Sequence, residues 1–524
     1  MKINKLYLEI ALAVILYLAA VYIWSLPFQK NSMPYGETDS GTHFTLGDYM
    51  AQTDKPVYNL PLYLATQYGD WNNNKIWYPP QFHVDVSIAQ IAGGDRVMPV
   101  FLFYAIICSL IVLASYILFR NLFGVLIGFL SSFFIIFSTR DILWYLFGQY
   151  PQVASFVYMP VVLYSYYKYV DSFFSEKKKP IYLYITAILL SIQFFFHPQG
   201  VVASVLVIII FSLFTIFKER KFIFDIKHFL VFLLIIAIVL GPFFSIPLGK
   251  ESKFRKDLAI GSGEKSDAGF FYWTKTPKEP GVGYPGYYSY SAMNGIWTVP
   301  FVLLGIAFLL VSRKRKEMLL ISWLIALYIL FHEAIIGGRA ERFIETEAYL
   351  FYPLVFIGIL GFIGVIKMPD LYKRYAKAGF VALLLILVIF LNGKAVYSQL
   401  KGAYGNDLSR ITSAQFNAAE FIGEKLPDDA QVYITGTLSF NKKKWIWALS
   451  HKSMAWQVVP VINTIDIKNC EPKCTHAFVD YSDLALAGAG KEINELQEWE
   501  KNNLADASLL YDKDNIRVYE LGKI

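Results

Sequence analysis

Apolar runs of membrane-spanning length recur along the chain up to about residue 395, with polar connections between them. A helix of about 20 apolar residues crosses the hydrocarbon core of a bilayer. Hydropathy predicts spans at 6–26, 97–119, 122–138, 152–170, 181–196, 199–217, 228–246, 297–312, 317–334, 346–366 and 378–392. The pattern therefore predicts an α-helical polytopic membrane protein with about eleven transmembrane helices.

Basic residues occupy every second connection when the N-terminus, with Lys2 and Lys5, is taken as cytoplasmic. These connections contain Arg120, Lys177–Lys179, Lys218–Lys221, Arg313–Lys316 and Lys367–Lys377. Cytoplasmic loops of membrane proteins carry an excess of Lys and Arg. We therefore predict a multi-pass protein of the cell membrane, with a cytoplasmic N-terminus and an extracytoplasmic C-terminal part.

Beyond residue 395 the pattern changes to that of a soluble domain. The segment Thr412-Ser-Ala-Gln415 resembles a capping box that opens an amphipathic helix. Strands are predicted at 432–435, 477–480, 508–511 and 516–519, and a charged helix at 491–502. The chain thus divides into a transmembrane domain, 1–395, and a small extracytoplasmic α/β domain, 396–524.

Composition supports the membrane class and excludes several kinds of function. Hydrophobic residues make up 56% of the chain and charged residues 17%, below the usual quarter for soluble proteins. The net charge of +7 lies mainly between apolar runs, so it predicts contact with membrane lipids and no nucleic-acid partner. Walker A, GxGxxG, GxSxG and HExxH motifs are absent from positions where they could work, which argues against an ATP-driven pump and a serine hydrolase.

Cys470 and Cys474 form a Cys-x3-Cys pair in the predicted outer domain. A zinc site would need further ligands, and neither a second cysteine pair nor a flanking His-x3-His lies nearby in the sequence. Extracytoplasmic compartments favour disulfides, so we predict a short-loop disulfide.

The first long outer connection, 27–96, contains three groups that can handle protons or metals: Glu37, Asp39 and His43. A carboxylate at the membrane surface can act as a general base or hold a metal that activates an acceptor hydroxyl. The alternative is that these residues cap the amphipathic segment that follows, 44–52. His83, in Tyr78-Pro-Pro-Gln-Phe-His83 of the same connection, is a further candidate for substrate binding.

Other outer connections add polar candidates, each with a plain structural alternative. Arg140 and Asp141 form a local ion pair, or else Asp141 is a second acidic group that faces the first across the same cavity. His197 and Gln199 occupy a turn between two spans, where they bind substrate or lie at the interface. Arg339 and Arg342 match the geometry of a lipid phosphate, or else snorkel and pair with neighbouring glutamates. The connection at 247–296 is long and rich in aromatic residues, so it predicts a binding or lid role.

These motifs together resemble the GT-C superfamily of integral-membrane glycosyltransferases. They are the acidic first outer loop Gly36-Glu-Thr-Asp-Ser-Gly-Thr-His43, the Tyr-Pro-Pro-Gln-Phe-His run, Asp141 followed by Gly148-Gln-Tyr-Pro151, and the late Arg339-Ala-Glu-Arg-Phe343 loop. Uncharacterised proteins with a "6-pyruvoyl-tetrahydropterin synthase-related" membrane domain are similar to the same degree, and that name implies no pterin chemistry here.

The resemblance implies an inverting transfer of a hexosyl or pentosyl group from a polyprenyl-phosphate donor to a glycan, lipid or surface-protein acceptor. It assigns the catalytic carboxylate to Asp39, with Glu37 as the alternative, the second acidic group to Asp141, and the donor phosphate to Arg339 or Arg342. Arg140-Asp141 replaces the paired acids of oligosaccharyltransferases, and no Trp-Trp-Asp-Tyr-Gly motif is present. Protein N-glycosylation is therefore not expected, and a divalent cation (Mg²⁺ or Mn²⁺, on Asp39 and Asp141) stays open.

Two other classes remain open from the sequence. A transporter or flippase for a lipid-linked glycan would carry mid-membrane charges and internal repeats, whereas the ionisable residues here cluster at span ends. A non-catalytic scaffold would present the outer domain and would tolerate loss of the loop acids.

Overall fold

The computed structural model describes residues 5–29, 31–37, 39–53, 63–64, 79–175, 178–244, 296–332, 343, 347–367, 369–404, 410–435, 439–455, 467, 470 and 473–522. Helices account for most of this chain, and a small sheet lies near the C-terminus. The predicted fold class is therefore confirmed.

The N-terminal part is a bundle in which every predicted span coincides with a helix. Its helices are α1 Lys5–Trp24, α2 Leu26–Gln29, α3 Ser40–Thr53, α4 Gln81–Gly93, α5 Met98–Phe123, α6 Val125–Ile136, α7 Thr139–Leu146, α8 Tyr150–Phe173, α9 Ile181–Phe196, α10 Pro198–Glu219, α11 Ile226–Phe244, α12 Val299–Ser312, α13 Arg315–His332, α14 Glu347–Val365, α15 Asp370–Leu387 and α16 Lys394–Tyr404. A π-helical turn, Val388–Gly393, joins the last two, so a helical segment runs through the predicted boundary at residue 395. That boundary stays a prediction.

Some of these helices are candidate membrane spans by their length and composition. Within the described residues, four are long and apolar enough to cross a bilayer, and shorter apolar helices accompany them. The four are Leu6–Trp24, Met98–Phe123, Pro198–Glu219 and Asp370–Lys401. The number of helices that cross the membrane, predicted as about eleven, stays a prediction.

The basic connections meet at one end of the bundle. Arg315 lies 3.2 Å from the Asp171 carboxylate and 3.3 Å from that of Glu219. Lys316 donates to the backbone carbonyl of Leu122 at 3.0 Å. Segments that the charge pattern assigns to the cytoplasm are therefore neighbours, whereas the orientation of the termini in a membrane stays a prediction.

The C-terminal part is built on a five-stranded sheet of order β2-β1-β3-β5-β4. Its strands are β1 Gln431–Ile434, β2 Ser453–Ala455, β3 His476–Asp480, β4 Ser508–Lys513 and β5 Ile516–Glu520, and its helices are α17 Ser413–Lys425, α18 Phe440–Ser450, α19 Ser482–Ala487 and α20 Gly490–Asn503. The first three strands pair in parallel, and β5 pairs antiparallel with β3 and β4. The predicted capping box is present, with the Thr412 side chain accepting from Gln415 N–H and the Gln415 side chain accepting from Thr412 N–H.

Helix α18 attaches this domain to the first outer connection. The indole of Trp445 donates to the Gly36 carbonyl at 3.2 Å, and that of Trp447 donates to the Tyr63 carbonyl at 3.1 Å. The Thr45 hydroxyl donates to the Ala448 carbonyl at 2.8 Å. One helix of the C-terminal domain thus lies directly against the segment that contains the candidate acids.

Candidate functional site

Two outer segments that are far apart in the sequence dock through their backbones. The Glu37 N–H donates to the Leu146 carbonyl at 3.0 Å, and the Asp39 N–H donates to the Phe147 carbonyl at 3.2 Å. Both acceptors lie at the C-terminal end of helix α7, where helical carbonyls have no partner within the helix. The pairing fixes the backbone of Glu37 and Asp39 against the second outer connection.

Gly148 makes this close approach possible. Its φ is +81°, and a Cβ built there would collide with the backbone nitrogen of Ser40. On the other side of Ser40, the Tyr150 hydroxyl lies 3.4 Å from its Oγ. The Gly-Gln-Tyr-Pro motif therefore supports Ser40, the residue that follows Asp39.

Asp39 immediately precedes helix α3, and its carbonyl accepts the His43 N–H at 3.0 Å. Glu37 and Asp39 are each half-buried. Asp39 therefore lies at the N-terminal end of α3, beside the first turn of that helix. The segment thus leads directly into the helix, and it also presents the Asp39 carboxylate at the start of that helix.

Asp141 lies on the helix against which this segment docks. It is 1% exposed and lies five residues before Leu146, the acceptor for Glu37. A helix rises by about 1.5 Å per residue, so Asp141 lies about 7–8 Å along the axis from that contact. The two predicted acidic loops are therefore parts of one assembly. The side chain of Arg140, and with it the Arg140–Asp141 pair, lies outside the described residues.

His43 and His83 meet inside the first outer connection. The Nδ1 of His43 lies 3.0 Å from the Nε2 of His83, and the two rings stack with centroids 5.3 Å apart. Burial lowers the pKa of His83 well below its usual range, and the neighbouring His43 lowers it further. With its pKa lowered in this way, His83 is neutral at pH 7, and one of the two facing ring nitrogens donates while the other accepts.

His197 and Gln199 lie at the junction of helices α9 and α10, where both are buried. The Nδ1 of His197 accepts from the Gln199 N–H at 3.2 Å, which caps α10. This junction contacts the first connection through Phe82 and Phe196, whose ring centroids are 6.5 Å apart. The first outer connection therefore contacts both the connection that contains Asp141 and the turn that contains His197.

Other predicted site residues lie outside the described part of the chain. Arg339 and Arg342 belong to 333–342, and the long connection at 247–296 is described only from residue 296 onward. Cys470 and Cys474 are joined as a disulfide. Within the described ranges, no group of three or more His, Cys, Asp or Glu side chains is placed to hold a metal ion.

Helix α18 adds a set of cations that the sequence reasoning did not identify. Lys442, Lys443 and Lys444 are 6%, 2% and 8% exposed. A Cβ on Gly41 would lie 3.3 Å from the Lys444 carbonyl and 3.5 Å from its Cγ, so Lys444 packs against the first turn of α3, the helix that begins next to Asp39. One feature of the sequence could have identified these cations. It is the basic triplet Lys442–Lys444, which precedes Trp-Ile-Trp in a domain predicted to face outward.

Lys443 and Lys442 differ in how their charges are compensated. Lys442 lies 2.6 Å from the Asp483 carboxylate. Burial lowers the pKa of Lys443 to about 8, and no carboxylate among the described residues offsets this effect. Lys443 is therefore a buried cation on the helix that packs against the first outer connection, and an anionic ligand beside it would stabilise it.

The sequence reasoning also missed a buried network that joins the two domains. The Asp48 carboxylate, which is 0% exposed, lies 2.6 Å from Arg96 and 2.8 Å from His451. Arg96 also donates to the Leu449 carbonyl at 2.6 Å. Burial alone would raise the pKa of Asp48, but His451 and Arg96 together hold it below its usual range. This network fixes α3, and hence Asp39, relative to α18.

Comparisons with known proteins identify one family and several solved structures that this chain resembles. A family of unknown function, DUF6541, matches residues 5–345, and no curated protein matches the sequence. ArnT from Cupriavidus metallidurans, bound to undecaprenyl phosphate, has a TM-score of 0.58 at 12% identity, covering 97% of this chain and 97% of that chain. AglB from Archaeoglobus fulgidus, in complex with an inhibitory peptide and a dolichol-phosphate, has a TM-score of 0.56 at 13% identity, covering 99% of this chain and 75% of that chain.

Both neighbours belong to the GT-C superfamily, so the resemblance drawn from the sequence motifs is confirmed at the level of the fold. At this identity the likeness shows the fold alone, and the chemistry has to be argued from the site.

Proposed function

The chain belongs to the DUF6541 family of unknown function, and we propose that this member is a membrane glycosyltransferase of the GT-C type. It transfers a sugar from a polyprenyl-phosphate donor to a glycan, lipid or surface-protein acceptor on the extracytoplasmic side of the cell membrane. The observation that carries this proposal is the backbone docking of Glu37 and Asp39 onto the end of the helix that contains Asp141.

Asp39 is the general base of the proposed reaction, with Glu37 as the alternative. It removes the proton from the acceptor hydroxyl as that oxygen attacks the anomeric carbon of the donor sugar. The bond between the anomeric carbon and the phosphate oxygen breaks, and polyprenyl phosphate leaves with the electron pair. Attack from the face opposite the phosphate inverts the anomeric configuration.

The leaving phosphate needs fixed positive charge, and two sources support it. Arg339 and Arg342 remain the candidates from the sequence. The buried Lys443, on the helix that packs against Gly36 and Gly41, adds a cation from the C-terminal domain. An oriented cation in a water-poor site stabilises developing phosphate charge far more strongly than the same cation in water.

The ligands of the neighbouring structures support the same donor class. One of those proteins is bound to undecaprenyl phosphate and the other to a dolichol-phosphate, and both lipids consist of a polyprenyl chain and one phosphate. If a divalent cation takes part, Asp39 and Asp141 are its candidate ligands and the cation would neutralise phosphate charge.

The test is a transfer assay in membranes that contain the protein and a polyprenyl-phosphate donor with a labelled sugar. We expect labelled product from the wild-type protein and none from Asp39→Asn. Asp506→Asn, at an exposed position of the C-terminal domain, is the matched control and should keep full activity. Equal labelling by Asp39→Asn and wild type would overturn the role of Asp39, and no labelling by any wild-type preparation across neutral and charged sugars would overturn the proposed function.

A further inference from the structure

Four buried glutamines lie together at the outer ends of helices α8, α9 and α10. Gln149, Gln152, Gln193 and Gln199 are 7%, 2%, 0% and 5% exposed, and we call them the amide row. The side-chain oxygens of Gln149, Gln193 and Gln199 accept no hydrogen bond from the described residues. A buried acceptor without a donor loses its hydration and gains nothing in return, so such groups in native proteins call for an explanation.

Hydrogen bonds of Ser155 connect helix α8 to Gln193 of the amide row and to the junction of α9 and α10. The Ser155 hydroxyl donates to the carbonyls of Gln193 and His197, at 3.0 and 2.8 Å, and the Gln193 amide donates to the Ser155 carbonyl at 3.1 Å. Positions 152 and 155 share one face of α8, because residues three apart are neighbours on a helix, and Gln149 is the N-cap residue of that helix. Gln149 and Gln152 therefore continue the Ser155 face toward the outer end of the bundle.

The amide row begins beside the candidate base. Gln149 lies between Phe147, whose carbonyl accepts the Asp39 N–H at 3.2 Å, and Tyr150, whose hydroxyl lies 3.4 Å from the Ser40 Oγ. A sugar whose anomeric carbon faces Asp39 would place its ring hydroxyls toward these amides.

We infer that the amide row binds the donor sugar and selects an uncharged sugar, an inference that rests on the proposed glycosyltransferase function. A sugar hydroxyl both donates and accepts, and a glutamine amide offers one acceptor and two donors, so hydroxyls satisfy the amide oxygens directly. None of the contacts described for Gln149, Gln193 and Gln199 involves a charged side chain. A carboxylate or ammonium group on the sugar would lose its hydration against neutral amides without gaining an opposite charge.

The amides would also distinguish between uncharged sugars, through the hydrogen bonds that their hydroxyls make. A site whose buried polar groups are satisfied only by particular hydroxyls rejects ligands that leave those groups unpaired. The enzyme thus distinguishes donors by the sugar and holds the lipid phosphate through separate cations.

The test measures binding to the purified full-length protein in lipid nanodiscs with three probes. These are a short-chain polyprenyl phosphate, the same lipid carrying glucose, and the same lipid carrying glucuronic acid. Wild-type protein should bind the glucose-bearing lipid about tenfold more tightly than the glucuronic acid lipid, the factor expected for one or two lost hydrogen bonds.

Gln149→Met and Gln199→Met remove the amides at similar volume, and exposed Gln497→Met is the control. Each site variant should lose about tenfold in affinity for the glucose-bearing lipid and keep the wild-type affinity for the sugar-free lipid. The thermal midpoint of each site variant should match or exceed that of wild type, because an unsatisfied buried acceptor is gone; this separates loss of binding from misfolding.

Unchanged affinity of both variants for the glucose-bearing lipid would overturn the inference and indicate that the amides hold only water. Tighter binding of the glucuronic acid lipid by wild type would overturn it as well. Failure of wild type to bind even the sugar-free lipid would instead overturn the proposed function, and the inference with it.

Discussion

The backbone N–H of Asp39 donates to the carbonyl of Phe147 across 3.2 Å, and this bond joins the first outer connection to the second. Neither side chain takes part in it. The position of the candidate base therefore depends on backbone geometry at Gly148, which follows Phe147, and this dependence can be tested by substitution.

Gly148→Ala should displace Asp39 and abolish transfer. The added Cβ would meet the Ser40 nitrogen, in a backbone conformation with φ of +81° that L-residues rarely adopt. Gly94→Ala is the matched control, because Gly94 has φ of +65° and open space around its Cβ position. Backbone strain alone costs about 1–2 kcal/mol, so a transfer assay and a thermal melt of both variants separate strain from collision. Equal activity of the two variants would contradict the importance of the Ser40 contact.

Lys443→Met should raise stability and lower activity. Below about pH 8 the folded wild-type protein buries a charged Lys443 ammonium group, which destabilises it. Between pH 8 and the unfolded pKa of about 10.5 the folded protein loses this proton while the unfolded chain keeps it, so the destabilisation decreases. The stability gain of Lys443→Met should therefore be full below pH 8 and shrink above it.

Activity provides the second measurement on Lys443→Met. If Lys443 holds the donor phosphate as proposed, loss of this buried cation should lower affinity for polyprenyl phosphate by about 30-fold. Lys491→Met, whose side chain is 84% exposed, should change neither property. A variant that is less stable and fully active would show that Lys443 is a structural residue.

Asp48→Asn should loosen the C-terminal domain. Removing one partner from a buried ion pair costs about 3–5 kcal/mol, because Arg96 would remain buried without its carboxylate. Asp512→Asn is the control, since this carboxylate is about half exposed and its pair with Arg517 is a surface contact. Thermal melting and limited proteolysis near residue 410 measure the effect.

The pH dependence of this network has a definite sign. The pKa of Asp48 is lowered in the folded protein, so its contribution to stability is present above the unfolded pKa of about 3.9 and is lost as the pH falls through the folded value. Asp48→Asn should remove that acid-dependent loss. An acid profile identical to that of wild type would contradict the assigned network.

The His43–His83 pair should make the protein sensitive to mild acid. The pKa of His83 lies well below the unfolded value of about 6.5. The unfolded chain binds the proton first as the pH falls below 6.5, so stability decreases from there until the folded group is also protonated. His83→Gln should flatten this part of the pH profile of the thermal midpoint; a profile that is unchanged would exclude His83 as its cause.

The helices of the N-terminal part could be predicted because continuous apolar runs separated by polar connections define them. Strands 432–435 and 477–480 and the hairpin at 508–519 were also confirmed, because alternation and turn residues define them locally. Helix α18, Phe440–Ser450, was missed because its charged and aromatic residues follow no amphipathic pattern: its lysines are buried. Strand β2 has only three residues, too few to carry a periodicity.

The residues of the candidate site could be predicted from the sequence, but their arrangement could not. Acidic and polar residue types identified Glu37, Asp39 and Asp141 as candidates, but their assembly depends on backbone bonds between segments about 110 residues apart. Such bonds need no particular side chain, so they leave no mark on the sequence. The Asp48–Arg96–His451 network likewise joins segments from both domains, and only the fold brings them together.

The most direct test of the account compares binding and chemistry in one protein. Purified Asp39→Asn in nanodiscs should bind the glycosylated polyprenyl phosphate with wild-type affinity, because the substitution removes a proton acceptor and keeps the shape. Its turnover should fall by about 10²–10⁴-fold, the usual contribution of a general base. Wild-type turnover in Asp39→Asn would contradict the central claim that Asp39 activates the acceptor hydroxyl.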